Sequence, residues 1–143
     1  MIRSAHTLTD DAPSWRRTPL RTPLRYPAAV LLVVAGVAHI PITPMHLKEA
    51  PYIGALFIAL TAVCFALALT LPFHDSPTVW ALTAAVTIAA VLAYVLSRTV
   101  ALPQIGDDVG NWTEPLGLLS ITTEFLSAAL SVIALKSNHE AAP

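Results

Sequence analysis

PYIGALFIALTAVCFALALTL (Pro51–Leu71) decides the fold of this chain. It carries no charged side chain on any face. A soluble helix would keep a polar stripe opposite its apolar one, with apolar residues at i, i+3, i+4 and i+7. A bilayer core about 30 Å thick is crossed by roughly 20 residues rising 1.5 Å each, and this stretch has that length. Working outward, three further apolar runs of similar length lie near Tyr26–Met45, Val79–Leu96 and Pro115–Leu135. The expected fold is therefore all-α: a four-helix transmembrane bundle over residues 26–136. A disordered basic tail (1–25) precedes it and a short tail (137–143) follows.

Composition agrees and narrows the function. Charged residues make up 12% of the chain and hydrophobic ones 55%, whereas soluble domains are about 25% charged. Mean hydropathy is +0.66. A net charge of −1, with no basic stripe interleaved with aromatics, excludes a nucleic-acid partner. Cys64 is the one cysteine, so there is neither an intramolecular disulfide nor a CxxC metal or redox motif. It reads as a small apolar residue in a helix interface. Residues 1–25 are polar and proline-containing, unlike a cleaved signal peptide, and the double arginine at Arg16–Arg17 has no apolar region close behind it. A TPLR duplication (Thr18–Arg21, Thr22–Arg25) reads as a surface anchor.

Arg3, Arg16, Arg17, Arg21 and Arg25 all precede the first run. The positive-inside rule puts that end in the cytoplasm, and four spans return Lys136 and the C-terminus to the same side. The expected location is the cell membrane, multi-pass, with both termini cytoplasmic. The Pro72–Pro77 connection then faces inward and reads as a plain turn. The connections around Thr43–Ala50 and Arg98–Glu114 face outward, and they hold most of the distinctive polar groups.

Two sets of candidate residues follow. On the outer face, His39, His46, Glu49, Asp107, Asp108 and Glu114 form a candidate transition-metal set, since imidazole suits Zn, Cu, Ni or Fe and carboxylates suit harder ions. His46 and Glu49, spaced i and i+3, share a face if Pro44–Ala50 is helical, with Thr43 as its cap. No HExxH-like spacing occurs, and two solvated acidic loops explain the same residues. Asp107 and Asp108 lack the alternating ligands of a calcium loop. Trp112 and Arg98 read as interface anchors, Arg98 snorkelling or pairing with an acidic neighbour.

Inside the membrane, Glu124 lies roughly 13 Å down the last helix from Pro115. Ser120, Glu124, Ser127 and Ser131 fall at i, i+4, i+7 and i+11 and form one stripe. Ionised groups at that depth cost about 2.5–3.5 kcal/mol and face the bundle interior or a cavity. Glu124 reads either as a titrating group or as hydrogen-bonded glue along a small-residue seam. Thr83, Thr87 and Tyr94 make a weaker stripe on the third helix, expected to face the fourth. His39 reaches a similar depth to Glu124, where an imidazole beside a carboxylate moves protons or holds metal. As the one histidine inside a span, it excludes a two-histidine haem. No nucleotide signal is present, and the second run has too few polar side chains to line a monomeric pore.

HIPITPMHLKEAPYIGALF (His39–Phe57) and LSRTVALPQIGDDVGNWTEPLG (Leu96–Gly117) resemble the corresponding stretches of small four-helix membrane proteins of actinobacteria. The resemblance spans roughly residues 27–135. It implies the architecture and the importance of the two outer connections, and no activity, cofactor or catalytic residue.

Three roles fit. The first is an accessory or interaction subunit, in the lipid bilayer, presenting its acidic outer face to a membrane-protein partner, a second copy or a metal ion. The second is a metal-dependent membrane redox component or enzyme using Glu124 and His39. The third is a small proton-coupled carrier in which Glu124 titrates.

Overall fold

The computed structural model describes residues 22–140, with side chains as far as Ser137. The expected disordered tail falls mostly on residues 1–21, outside the described residues; of its last residues, Arg25 opens α1 and the Thr22 N–H is hydrogen-bonded to Asp75. Among the described residues the helices are α1 (Arg25–His39), α2 (Thr43–Glu49), α3 (Pro51–Thr70), α4 (Pro77–Thr99) and α5 (Pro115–Glu140), with a 3-10 turn at Gly106–Asp108. No strand occurs among the described residues. Helices α3, α4 and α5 are each long and apolar enough to cross a membrane. The pair α1 and α2 satisfies the same test only together, with a bend of 48° between them.

That bend corrects the reading of Tyr26–Met45 as one continuous span. Pro41 has no N–H to give Val37, so the ladder stops there; the N–H of Ile40 turns back to the Val37 carbonyl at 3.2 Å. Thr43 does not cap α2. Its hydroxyl donates to the His39 carbonyl at 2.7 Å and satisfies an orphan acceptor at the end of α1.

The other helix starts are set locally. Ser76 accepts from the Val79 N–H at 3.4 Å, and Pro77 occupies the first turn of α4. Glu114 caps α5, its carboxylate accepting from Gly117 N–H at 2.6 Å and Leu116 N–H at 3.2 Å. The similar Glu49–Pro51 sequence works differently: Glu49 lies exposed at the end of α2, and α3 begins without a side-chain cap.

Helix α1 packs against both α3 and α5, α4 packs against α5, and α2 lies on α3; the sequential helices α3 and α4 barely meet. Small residues allow the close approaches, as expected where lipid removes most of the hydrophobic drive between helices. A Cβ on Gly36 would stand 3.0 Å from the Phe65 ring, so this α1–α3 contact is built around a missing side chain. The apolar cluster gathers near the Pro72–Pro77 turn: Ala28, Leu32, Leu67, Leu71, Trp80 and Ala134 are all buried there. We call this the turn end of the molecule and the opposite one the α2 end.

The Pro72–Pro77 connection is more than a plain turn. Asp75 is 3% exposed. It accepts the Trp80 indole N–H at 2.6 Å and the Thr22 backbone N–H at 2.8 Å. Arg25 stands 3.7 Å away as its counter-charge. The carboxylate thus ties the start of α1 to the start of α4 and orients the largest buried side chain of the core.

Candidate functional site: a buried carboxylate, hydroxyl and imidazole

The α5 stripe predicted from spacing faces the interior: Ser120, Glu124, Ser127 and Ser131 are all buried, and Glu124 is only 2% exposed. Helix α1 brings His39 to the same depth. The Ser120 hydroxyl lies between the two, 3.0 Å from Glu124 Oε1 and 3.3 Å from His39 Nε2. The direct Nε2–Oε1 separation is 3.9 Å. Cys64 of α3 is also buried.

The His39 tautomer follows from its other nitrogen. Nδ1 is 2.8 Å from the Ala35 carbonyl, which can only accept, so Nδ1 carries a proton and Nε2 is the variable position. The three groups then support two proton arrangements with the same heavy-atom positions. In one, a protonated Glu124 donates to Ser120 and Ser120 donates to neutral Nε2. In the other, a protonated Nε2 donates to Ser120 and Ser120 donates to the carboxylate. Both leave every member partnered. They differ by one proton moved from carboxyl to imidazole through the hydroxyl, which is the geometry general acid–base transfer needs.

The hydroxyls around this trio are less available. Thr83, Thr87, Thr123 and Ser131 each donate to a carbonyl of their own helix at 2.7–2.9 Å, as helical Thr and Ser commonly do. Ser127, one turn beyond Glu124, is fully buried with no hydrogen-bond partner among the described residues.

The six residues named as metal ligands are not brought together. Among the described residues, no three His, Cys, Asp or Glu side chains are grouped as a metal ion requires. His39 faces Glu124. His46 is half-buried, with Nδ1 2.9 Å from the Ile42 carbonyl. Glu49 and Asp107 are exposed, Asp108 pairs with Arg98 and Glu114 caps α5.

The Arg98 pair belongs to a second polar cluster. Arg98 Nη1 stands 3.0 Å from Asp108 Oδ2, an ion-pair distance without hydrogen-bond alignment. Its guanidinium lies 4.8 Å from the centre of the Tyr94 ring, and that ring meets Trp112 edge-on at 6.2 Å. The Tyr52 hydroxyl donates to the Pro103 carbonyl at 2.6 Å. These contacts fasten the Arg98–Glu114 connection across the α2 end, a structural role for residues read as lipid anchors.

Sequence reasoning missed Asp75 and Phe57. Asp75 carried a signal in the Asp-Ser-Pro start of α4 with a tryptophan five residues on. Phe57, whose ring touches both His39 and His46, carried none, because a phenylalanine in an apolar helix looks like lipid-facing bulk. Comparison with family models, curated proteins and solved structures found nothing similar to the chain, so its function is argued from the chemistry of its own residues.

Proposed function

We propose that this chain is a small four-span membrane protein, both termini cytoplasmic, that takes up and releases a proton at the Glu124–Ser120–His39 relay. It acts as a proton-coupled carrier. The observation that carries the reading is the bridging hydroxyl, within hydrogen-bond reach of both a buried carboxylate and a buried imidazole. A carboxylate in hydrocarbon without a partner is costly. An imidazolium at about 4 Å offsets that by about 4 kcal/mol at an effective dielectric near 20. With about 3 kcal/mol of burial cost for each of the two charges, the ion pair lies a few kcal/mol above the neutral pair, within reach of a transient proton transfer.

The test is infrared difference spectroscopy on reconstituted protein, with proton flux under an imposed membrane potential. A carboxyl C=O band that changes with pH, vanishes in Glu124→Gln and shifts in Ser120→Ala is expected, and flux falls in both variants. Spectra and flux identical in wild type and Glu124→Gln would overturn the proposal.

A second reading, an accessory subunit docking a membrane partner, is favoured by the α2-end surface, where exposed Met45, Leu47 and Trp112 lie with exposed Glu49 and Asp107. Co-purification of one defined partner, lost in a Met45→Glu/Leu47→Glu variant with intact flux, would establish it.

A further inference from the structure

The Phe57 ring meets two imidazoles edge-on. Its ring centre is 5.0 Å from that of His39 and 4.9 Å from that of His46, both edge-on, at 60° and 67°. His46 repeats the bonding of His39, its Nδ1 against a carbonyl four residues back, so Nε2 is again the variable nitrogen. His39 is buried and His46 half-buried. One aromatic ring is thus shared by two imidazoles of graded burial, His46 nearer the surface of the α2 end and His39 at the relay.

The position of His46 is fixed by a glycine. A Cβ on Gly54 would fall 2.6 Å from Leu47 Cγ and 2.7 Å from the Leu47 backbone nitrogen. Helix α2 lies this close to α3 because residue 54 has no side chain. Leu47 follows His46 and Gly54 precedes Phe57 by one turn, so the same contact sets His46 over the ring. Toward the turn end the Ser127 hydroxyl, one turn beyond Glu124, is buried without a partner, and past it no equivalent path continues among the described residues. The hydroxyls of Thr83, Thr87 and Ser131 donate to their own helices, and Leu32, Leu67, Leu71 and Trp80 fill the interior.

We infer that Glu124 exchanges its proton only with the α2 end, with His46 as the entry acceptor and Phe57 as a shutter between His46 and His39. The inference rests on the relay reading. A proton from water binds His46 Nε2 and passes to His39 Nε2 through water admitted when the Phe57 ring swings aside. It then reaches Glu124 Oε1 through Ser120. Each N–H or O–H bond broken is matched by one formed, and no electrons are transferred. Around Glu124 stand Ser120 of its own helix and His39 of α1; α3 brings the buried Cys64, and α4 the uncharged Thr83 and Thr87, to the interior. His46 faces Phe57 of α3 and shares α2 with Lys48 and Glu49.

The experiment follows the Glu124 carboxyl band in proteoliposomes whose inner and outer pH are set independently. Protease access to a C-terminal tag identifies the turn end. The band is expected to follow the pH at the α2 end alone. His46→Ala should slow its response about tenfold, and Phe57→Ala should speed it about tenfold without moving its midpoint. A merely structural Phe57 would shift the midpoint or the unfolding transition instead, and Phe57→Leu, which keeps the bulk, controls for folding. A band that follows the turn end, or rates unchanged in both variants, overturns the inference while leaving the relay standing. A band that ignores pH on both sides overturns the relay as well.

Discussion

At the turn end Leu32, Leu67, Leu71 and Trp80 close the interior with apolar side chains, whereas at the α2 end His39, Ser120 and Glu124 occupy it. In water both would be explained by burial, the first as a gain and the second as a loss. In lipid the separated helices are already in hydrocarbon, so association depends on packing and interhelical hydrogen bonds. The turn end then holds the helices together by shape and by one well-satisfied carboxylate, Asp75. The α2 end has its carboxylate tied to an imidazole through one hydroxyl. On the proposed relay, the difference separates a stabilising end from a working end, and each can be attacked on its own.

The largest expected effect is from Trp80→Ala, which empties the centre of the turn-end cluster. Aromatic-to-alanine changes in soluble cores cost about 3–5 kcal/mol; the lower figure applies here because the transfer part of that cost is reduced in lipid. A denaturant titration in mixed micelles measures it. A loss below about 1 kcal/mol would mean that the cluster is not where the bundle is held.

Asp75→Ala comes next. It leaves the Trp80 indole N–H and the Thr22 N–H without their acceptor, and an unsatisfied buried donor costs about 1–3 kcal/mol. Asp75→Asn should cost less, since its side-chain oxygen still accepts from the indole. Equal losses for the two substitutions would shift the weight onto the Arg25 ion pair, which sits at 3.7 Å.

These two ends were unequally legible in the sequence. The α5 stripe was readable because helical spacing puts Ser120, Glu124, Ser127 and Ser131 on one line, and counting residues from Pro115 and from the outer end of the first run put Glu124 and His39 at similar depths. Their meeting through Ser120 was not readable, since it depends on α1 lying beside α5, and neighbour order is set by packing among small residues. The break at Ile40–Ile42 was hidden by continuing apolar residues, although Pro41 and Pro44 marked it. Asp75 was passed over because a short Pro-bounded connection looks like solvent-exposed turn, and nothing local shows that the start of α1 will fold back onto it. The outer metal set failed for a related reason: residue types suited to a metal were also suited to a helix cap (Glu114) and an ion pair (Asp108), and the fold uses them so.

The smallest expected change in stability, and the sharpest contrast with Asp75, belongs to Glu124→Leu. Removing Asp75 orphans two donors. Removing Glu124 orphans none, because the Ser120 hydroxyl can turn and donate to His39 Nε2, 3.3 Å away. The substitution also takes away a carboxyl that is costly to hold in hydrocarbon when ionised. Its one hydrogen bond runs to Ser120 of its own helix, and even interhelical hydrogen bonds are worth only about 0.6 kcal/mol on average in membrane proteins. Stability should therefore stay within about 1 kcal/mol of wild type, or rise, while the proton response disappears. The same denaturant titration, run beside Asp75→Ala, measures both carboxylates on one scale. A loss for Glu124→Leu as large as that for Asp75→Ala would make the α2 end a second structural lock, and the division between a stabilising and a working end would no longer hold.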